Sequence, residues 1–367
     1  MKIILFANTD WYLYNFRLEL AKALHARGDD VIFLSPPGDY AAKLAELGFR
    51  WLAFPFSRRG MNPLAELGTI FRLWSLYRRE KPDLVHHFTI KCVLYGSSAA
   101  HLAGVPHIIN AITGLGYVFN EGNHLLGALA RFFYRLVLKN TQVIFQNPDD
   151  LEIFTQAKLL QPAQAHLIRS SGVDLSRFHS QTETPSQPPL IILPARLLKE
   201  KGVPEFVEAA RLLKKRGIAA RLALIGEPDP HNPSSVSSDE LEDWVAEGVI
   251  ESWGWQQDMP KIYAESHIVC LPSYYREGVP RSLLEAAASG RAIVTTDAPG
   301  CREVVRHGVN GLLVPLRDPQ ALADAIQTLL ENPQLRQEMG LRGREIVEKE
   351  FSSEIVIAQT LGVYDKP

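Results

Sequence analysis

Residues 267–295 read HIVCLPSYYREGVPRSLLEAAASGRAIVT, and this stretch decides the fold. Two apolar runs, His267–Leu271 and Ala292–Thr295, have the length and residue types of buried strands. Between them lie a loop that contains Pro280 and a helical segment that ends at Gly290. We therefore predict a strand, a loop, a short helix and a second, parallel strand, which is the repeating unit of α/β proteins.

Two carboxylates belong to this unit: Glu277 lies in the loop, and Glu285 follows about two helical turns later. Because Pro280 suits the first turn of a helix, we expect the amides of Gly278 and Val279 to point out of a helix N-terminus, where an anion binds well. The alternative for Glu285 is a surface position without a partner. Its apolar neighbours instead indicate a mostly buried helix, in which a carboxylate is costly unless it is bonded. The pattern favours a site where loop amides hold phosphate and a carboxylate binds sugar hydroxyls.

Strand-like runs alternate with amphipathic helices along the whole chain, which is typical of α/β proteins with parallel sheets. The segment Asp174–Pro189 interrupts this pattern, because it is rich in Ser, Thr, Gln and Pro and lacks apolar periodicity. The simplest interpretation is two Rossmann-like halves with a cleft between them and ligands at the carboxyl ends of the strands. We predict a first domain at residues 1–175, a linker at 176–189, a second domain at 190–350 and a tail at 351–367 that packs back on the first domain.

The composition is ordinary for a soluble globular protein, since 46% of the 367 residues are hydrophobic and 22% are charged. No apolar run approaches the roughly 20 residues that a transmembrane helix needs, and the first run is too short for a signal peptide. The net charge of −2 gives no case for binding nucleic acid, although it divides into about +4 up to Pro188 and about −6 beyond it. Three widely spaced cysteines match no metal-binding pattern and suggest buried thiols in a reducing cytosol: Cys92, Cys270 and Cys301.

The run Pro272–Ala286 strongly resembles the Glu-seven-residues-Glu motif of glycosyltransferase family 4. The resemblance spans nearly the whole chain and is greatest to the capsule, O-antigen and protein-glycan branch, which extends undecaprenyl-diphosphate-linked sugars. It implies a GT-B fold, with two Rossmann-like domains that face each other across a cleft, and a retaining enzyme that uses a nucleotide sugar. The other segments that carry the resemblance are Ile112–Phe119, Ser171–Asp174, Ala195–Gly202, Thr296–Val305 and Gly308–Pro315.

The resemblance implies a donor site in the second domain. Family members use an Arg and a Lys at the positions of Arg196 and Lys201 to neutralise the donor diphosphate, whereas composition alone would favour two solvated charges. Glu285 resembles the residue that holds the donor ribose, and Glu277 resembles the residue near the transferred sugar. The implied donor-binding set is Arg196, Lys201, Glu277, Gly278, Val279, Pro280 and Glu285, of which Arg196, Lys201 and Glu277 are the catalytic candidates.

The implied reaction is a front-face attack, in which the leaving phosphate oxygen helps to deprotonate the acceptor. A nucleoside diphosphate is already a good leaving group, so the reaction needs no strong general acid. Retaining glycosidases use one of two carboxylates as a covalent nucleophile, but Glu277 is not assigned that role here. No metal and no other cofactor are expected.

The first domain is expected to bind the acceptor. The family often has a His in the turn where this chain has Thr113, followed by Gly114. Many members also have two glycines in the first βα turn, where this chain has bulky aromatics. Tyr14 and Arg17 are therefore candidates to shape the acceptor site, with ordinary helix packing as the alternative. Three histidines lie near the relevant strands, and each is either a core residue or a substitute for the missing His: His86, His87 and His107.

Two segments of the first domain are candidates for contact with a membrane surface. Leu125–Lys139 combines apolar and aromatic residues with Arg131, Arg135 and Lys139 at helical spacing, and Phe56–Arg79 has a similar composition. Basic residues beside aromatics suit an anionic membrane surface. Two amphipathic helices that pack only on the sheet are the equally weighted alternative.

We therefore predict a glycosyltransferase that moves a hexose or N-acetylhexosamine from a UDP-sugar to a polyprenyl-diphosphate-linked saccharide in bacterial surface glycan synthesis. The expected partners are the donor, the lipid-linked acceptor and the inner face of the cytoplasmic membrane, without nucleic acid. The alternatives are a family 4 transferase with a soluble acceptor, a sugar-nucleotide epimerase of the same fold, and a catalytically silent partner of a glycan-assembly complex. The presence of Glu277, Glu285, Arg196 and Lys201 argues against the silent partner.

Overall fold

The computed structural model describes residues 1–57, 63–114, 124–183 and 188–366, with the backbone alone for Pro63 and residues 124–130. Two units divide these residues. The first contains Met1–Ser171 and Val356–Pro367, and the second contains Gly172–Ile355. Each unit has its own parallel sheet between layers of helices, as the alternation of strands and helices in the sequence predicts.

The strands of the first unit are β1 (Lys2–Phe6), β2 (Asp30–Ser35), β3 (Arg50–Ala53), β4 (Leu84–Phe88), β5 (His107–Ile112), β6 (Gln142–Phe145) and β7 (Ala165–Leu167). Among the described residues they form one parallel sheet in the order β3-β2-β1-β4-β5-β6-β7. The order reverses between β1 and β4, which pair directly. Ligands of open α/β sheets bind beyond the carboxyl ends of strands at such a reversal.

The helices that accompany these strands are α1 (Asp10–Ala26), α2 (Ala41–Glu46), α3 (Pro63–Glu80), α4 (Ile90–Ala103), α5 (His124–Val137) and α6 (Pro148–Gln156). Successive residues of a strand point to opposite faces of the sheet. Ile3 and Leu5 therefore pack in one hydrophobic cluster with residues of α1, while Ile4 and Phe6 pack in a second cluster with residues of α3 and α4. Because both faces are covered, the interior strands are buried on both sides, and β4 is buried along its whole length although it contains His86 and His87.

The second unit contains strands β8 (Leu190–Pro194), β9 (Arg221–Ile225), β10 (Glu251–Ser252), β11 (Ile268–Leu271), β12 (Ala292–Thr296) and β13 (Gly311–Val314). Its helices are α7 (Val203–Lys215), α8 (Ser238–Ala246), α9 (Met259–Glu265), α10 (Arg281–Ala288), α11 (Cys301–Val304), α12 (Pro319–Glu331) and α13 (Pro333–Glu350). The described strands form a parallel sheet in the order β10-β9-β8-β11-β12-β13. The order reverses between β8 and β11, which are paired neighbours.

The chain returns to the first unit through its last helix, α14 (Ser353–Tyr364). Val356, Val363 and Tyr364 of this helix are buried in the cluster that covers the α1 face of the first sheet. The Tyr364 hydroxyl also lies 2.7 Å from Nδ1 of His86. The tail of the sequence is thus a structural part of the first unit.

The structure differs from the sequence prediction at the boundary between the units. The second unit begins at Gly172 rather than after a linker at 176–189. Phe178, which the composition assigns to the linker, is buried and packs edge-on against Tyr263 at 6.0 Å between ring centroids. Asp174 accepts hydrogen bonds from the amides of Ser176 and Arg177, which folds the segment into a turn. A single aromatic residue among polar neighbours gives no periodicity, so the sequence did not reveal this packing.

Candidate functional site

The reversal of strand order in the second unit places two loops side by side, one after β8 and one after β11. The β8 loop ends at Gly202, which has a left-handed backbone with φ of 77°. A Cβ atom there would lie 2.2 Å from the carbonyl oxygen of Pro272, the first residue after β11. A side chain would therefore separate the two loops, and glycine allows their close approach.

Lys201 and Glu277 meet where the two loops approach each other. The Lys201 ammonium lies 2.6 Å from each carboxylate oxygen of Glu277. Only 13% of the Lys201 side chain and 19% of the Glu277 side chain are exposed. Ser273 Oγ lies 3.1 Å from Oε1 of Glu277, and the ring centroid of Tyr275 lies 5.7 Å from the ammonium. Both residues belong to the donor-binding set that the sequence predicts.

Contacts of backbone atoms hold the loop that follows β11 in place. Thr296 Oγ1 at the end of β12 donates a hydrogen bond to the carbonyl of Ser273. The amide of Tyr274 donates to the carbonyl of Glu200 in the other loop at 3.0 Å. Gly300 is packed so closely that a Cβ there would lie 1.7 Å from the carbonyl oxygen of Gly278. The loop conformation is thus set by backbone contacts with both neighbouring connections.

Helix α10 starts directly after this loop. Pro280 is the residue that precedes the helix, with extended ψ of 122°, so the prediction that it occupies the first helical turn is off by one residue. Gly278 and Pro280 are buried and Val279 is half-buried in the core beneath the loop. Pro280, the N-cap residue, makes no side-chain hydrogen bond to the first turn of α10. The first amides of α10 therefore retain the capacity to bind an anion.

Glu285 lies on α10 with two polar partners that the sequence did not reveal. Arg281 Nε donates to Oε1 of Glu285 at 2.9 Å, and the Tyr263 hydroxyl donates to Oε2 at 3.2 Å. The Glu285 side chain is only 14% exposed. Burial raises the pKa of Glu285, and the Arg281 guanidinium acts in the opposite direction. The Glu285 carboxylate is hydrogen-bonded, as its apolar surroundings require. Two of its partners are side chains of the protein, whereas the sequence pointed to a ligand. The spacing of Arg281 and Glu285, four residues apart in a helix, was the available signal.

Arg196 is more exposed than the other candidates, at 58% of its side chain, and pairs with Asp229 at 3.1 Å. The charge of Arg196 also acts on the pKa of Tyr275, whose ring lies beside the Lys201 ammonium. Burial and next the Glu277 carboxylate raise the pKa of the Tyr275 hydroxyl, while the charge of Arg196 acts in the opposite direction. Arg196 and Lys201 therefore both act on Tyr275, and Arg196 is the more exposed of the two cations.

The acceptor candidates of the first unit differ in burial. Tyr14 is half-buried on α1, with its ring 5.1 Å from that of Tyr40. Arg17 is buried: it donates to the Tyr12 hydroxyl at 2.7 Å, and its guanidinium carbon lies 4.2 Å from the ring centroid of Phe88. Arg17 is thus an internal residue at the α1 face of the sheet, which agrees with the packing alternative.

The turn after β5 contains Thr113 and Gly114, both half-buried, and Gly114 has φ of 120°. The rest of that motif, residues 115–119, lies outside the described residues. His86 and His87 are internal: His87 lies 3.0 Å from Asn110 Oδ1 through Nδ1 and 3.1 Å from the Tyr77 hydroxyl through Nε2. Burial lowers the pKa of His87 to about 4.

The remaining histidine, His107, starts β5, so it lies at the opposite end of the strand from Thr113. It lines a small cavity there with Asn140, Tyr364 and Lys366. None of the three histidines takes the place of the missing family His at the Thr113 turn. The core alternative is correct for His86 and His87, since both imidazoles are enclosed.

The three cysteines are buried, as predicted. Burial raises the pKa of the Cys92 and Cys301 thiols to about 12. In the part of the chain that the structure describes, no group of three His, Cys, Asp or Glu side chains is arranged to hold a metal ion. No described helix is long and apolar enough to cross a membrane.

Helices α3 and α5 each bury one face and expose apolar side chains on another. In α5, Tyr134 is buried against Phe154, while Phe132, Phe133 and Leu136 are exposed, Phe132 by 56%. In α3, the exposed apolar residues are Leu64, Leu67 and Phe71. Arg131, Arg135 and Lys139 are exposed beside the aromatic residues of α5, and Arg135 donates to backbone carbonyls of residues 157 and 158. Arg58, Arg59 and Met61 lie outside the described residues, as do the side chains of Leu125, Leu126 and Leu129.

The sequence matches known families in both units. Residues 176–346 match the family "Glycosyl transferases group 1", and residues 2–147 match "Glycosyl transferase 4-like". Together these matches cover most of the chain, which therefore belongs to the glycosyltransferases that these two families describe.

Individual relatives are similar over long stretches. The chain is 29% identical to an N,N'-diacetylbacillosaminyl-diphospho-undecaprenol α-1,3-N-acetylgalactosaminyltransferase of Campylobacter jejuni, over 100% of this chain and 99% of the relative. It is 23% identical to a UDP-Gal:α-D-GlcNAc-diphosphoundecaprenol α-1,3-galactosyltransferase of Escherichia coli, over 73% of this chain and 71% of the relative.

Solved structures agree with the fold. A glycosyltransferase from Rickettsia africae has a TM-score of 0.82 at 18% identity, over 99% of this chain and 97% of that one. Anabaena HepE in complex with UDP and glucose has a TM-score of 0.79 at 18% identity, over 100% of both chains. The predicted fold class, GT-B with two Rossmann-like units, is confirmed.

Proposed function

We propose that this protein transfers a hexose or N-acetylhexosamine from a UDP-sugar to a polyprenyl-diphosphate-linked saccharide, with retention of configuration at the anomeric carbon. The observation that carries the proposal is the meeting of Lys201 and Glu277 at the strand reversal of the second unit. A cation and a carboxylate side by side provide one group for phosphate and one for sugar hydroxyls. The names of the Campylobacter and Escherichia coli relatives, both of which act on diphospho-undecaprenol sugars, support the class of acceptor.

The donor would lie along the two adjoining loops. Lys201 is the ligand for the diphosphate, with Arg196 as a second cation on the solvent side and the amides at the start of α10 as further donors. Glu277 is the ligand for the transferred sugar. Glu285 is the ligand for the ribose, since its carboxylate is already fixed by Arg281 and Tyr263.

The proposed reaction breaks the bond between the anomeric carbon and the β-phosphate oxygen and forms a bond to the acceptor oxygen on the same face of the sugar. The acceptor hydroxyl proton passes to the departing phosphate oxygen, so no separate base is required. The cations stabilise the charge that develops on the diphosphate. In this mechanism Glu277 binds the transferred sugar and is not a covalent nucleophile.

We also propose that the diphosphate is neutralised by Lys201 and Arg196 without a metal ion or other cofactor. The half-buried position of Lys201 supports this role, because a cation removed from water acts more strongly on phosphate. Transfer activity should be the same with and without a chelating agent. An absolute requirement for a divalent cation would contradict the proposal.

The exposed apolar side chains of α3 and α5 support an acceptor that resides in a membrane. Phe132, Phe133 and Leu136 are flanked by basic residues, which suits the interface of an anionic bilayer. We propose that these helices hold the protein at the inner face of the cytoplasmic membrane. Transfer would then take place where a lipid-linked saccharide is accessible.

The test is a transfer assay with the purified full chain. A panel of radiolabelled UDP-sugars is incubated with a synthetic polyprenyl-diphosphate saccharide in vesicles, and product configuration is determined by NMR. We expect transfer from one UDP-hexose or UDP-N-acetylhexosamine with the donor's anomeric configuration. Inversion would contradict the retaining mechanism, transfer only to a water-soluble saccharide would contradict the lipid acceptor, and no transfer from any nucleotide sugar would leave the silent-partner alternative.

A further inference from the structure

The contact between Lys201 and Glu277 has a consequence for donor binding. Both oxygens of Glu277 lie 2.6 Å from the ammonium, so two of its three protons are directed at one carboxylate. The pair is mostly shielded from solvent. The cation that the donor diphosphate needs is therefore already paired with a carboxylate of the protein.

The Ser273 hydroxyl lies within hydrogen-bond distance of the carboxylate in this position. This hydroxyl has one proton and two acceptors within reach, Oε1 of Glu277 at 3.1 Å and the carbonyl of Glu200 at 3.2 Å. The side chain is fully buried, and its own carbonyl is bonded by Thr296. The backbone of Ser273 is thus held while its hydroxyl can turn from one acceptor to the other.

We propose that Ser273 is a positioning residue and that Ser273, Glu277 and Lys201 form a latch. Before a donor binds, the Ser273 hydroxyl holds Glu277 against Lys201. When a donor binds, its diphosphate takes over Lys201, the Ser273 proton turns to the Glu200 carbonyl, and the Glu277 carboxylate becomes available to the sugar. This inference rests on the proposed function, because it needs a diphosphate ligand for Lys201.

The latch contributes differently to the binding free energy of UDP and to that of a UDP-sugar. UDP displaces Glu277 from Lys201 but has no sugar for the carboxylate to bind. The favourable free energy of Glu277 in the ion pair is therefore lost without a new contact for this carboxylate. A UDP-sugar replaces the lost contact with hydroxyl groups. The latch therefore favours the intact donor over the spent nucleotide, which assists product release.

The first test measures UDP affinity by calorimetry in three proteins. Glu277→Gln removes the competing charge, and Glu277→Asp keeps the charge but shortens the side chain so that it no longer reaches Lys201 from the same backbone position. We expect both variants to bind UDP about fivefold more tightly than the wild type, while turnover of the UDP-sugar falls. Simple repulsion between Glu277 and the diphosphate would also strengthen binding by Glu277→Gln, but not by Glu277→Asp.

The second test uses Ser273→Ala, with Ser266→Ala as its matched control. Ser266 is also a buried serine of the second unit, and its hydroxyl donates to the carbonyl of Tyr263 at 2.9 Å. Ser273→Ala should bind UDP about twofold more tightly and have a lower kcat without a matching rise in KM, whereas Ser266→Ala should match the wild type in both. Circular dichroism establishes that each variant is folded.

Two outcomes would overturn the latch while the proposed function stands: UDP binding by Glu277→Asp that is no tighter than that of the wild type, or UDP binding by Glu277→Gln that is no tighter. If Ser273→Ala does not fold, the Glu277 variants still decide the matter. If the wild type neither binds UDP nor transfers sugar, the proposed function itself fails.

Discussion

The two units use the same reversal of strand order for different purposes. In the second unit, the loops at the reversal between β8 and β11 carry charged side chains that meet across the loops, as Lys201 and Glu277 do. In the first unit, the polar groups near the reversal between β1 and β4 are turned inward. Asp10 accepts from the amides of Tyr40 and Ala41 at the start of α2, and Arg17 lies over Phe88.

The difference shows that a shared sheet topology does not fix which unit has an electrostatic site. An ion pair that is partly open to solvent can exchange a protein partner for a ligand, whereas fully enclosed polar groups stabilise the fold. The charged chemistry of the donor therefore suits the second unit. The first unit instead offers exposed apolar surface on α3 and α5, which suits a lipid-linked molecule.

The largest expected effect comes from removing the cation at the second reversal. Lys201→Ala should lower kcat/KM by a factor of about 100 or more, because it removes a charge from the diphosphate and leaves Glu277 without its partner. Arg196→Ala should weaken UDP binding less, because Arg196 is exposed and screened. Steady-state kinetics and calorimetry measure the two effects. Equal effects of the two variants would mean that burial does not determine the importance of these cations.

Membrane attachment tests whether the first unit is the lipid-facing one. Changing Arg131, Arg135 and Lys139 together to Glu should abolish sedimentation with anionic liposomes at low salt, since each basic residue contributes about 1 kcal/mol near such a surface. UDP binding should be unchanged, and the wild type should detach at high salt.

The matched control carries the same change of charge on the second unit. Lys215, Arg342 and Lys349 are exposed basic residues there, and their joint replacement by Glu should leave sedimentation intact. If both triple variants lose binding equally, only the net charge matters and α5 is not the contact surface.

Acid should destabilise the first unit through His87. Its pKa of about 4 lies below the ordinary value of 6.5, so the unfolded chain binds the proton first. The stability that the neutral imidazole contributes is present above pH 6.5 and is lost as the pH falls toward 4, by about 3 kcal/mol in total. The described groups that bond to the ring or act on its charge include no carboxylate that would hold the charged form: Tyr77, Ser97, His101 and Asn110.

Hydrogen exchange of the β4 and β5 amides, corrected for intrinsic rates, measures this loss. His87→Gln should reduce the dependence on pH in that range, whereas the exposed His25→Gln should not. A wild type whose β4 and β5 amides keep the same protection from pH 7 to pH 4 would refute the prediction.

The smallest of these effects concerns Glu285. Glu285→Gln should weaken UDP binding by about tenfold, because one charge-assisted bond to the ribose is lost. Relative to the wild type, the free energy of unfolding of Glu285→Gln should increase as the pH rises. Burial raises the pKa of Glu285, so the stability contributed by its protonated form is lost as the pH rises through that pKa. Calorimetry and urea unfolding at several pH values test both parts, and wild-type UDP affinity in the variant would remove Glu285 from the ribose site.

The sequence predicts that Lys201 and Glu277 lie close together, because local patterns and topology act together. Glu277 follows β11 and Lys201 follows β8, and the rule for strand reversals brings such loops together. It did not reveal Ser273, Tyr263 or Arg281 as partners of the carboxylates, because those contacts depend on side-chain directions in three dimensions. The packing of Phe178 was missed for the same reason. His86 and His87 are adjacent in one strand and therefore face opposite sides of the sheet, so both could be internal without an apolar signature.

Helix α14 implies an order of events during synthesis. The first unit needs residues from both ends of the chain, since Tyr364 contacts His86 across 278 positions of sequence, while the second unit is one uninterrupted segment. On the ribosome, the second unit can complete its core while the first still lacks part of its α1 face. We expect nascent chains that stop near residue 355 to protect the second unit from protease and to leave the first unit susceptible, and equal protection of both would refute this order.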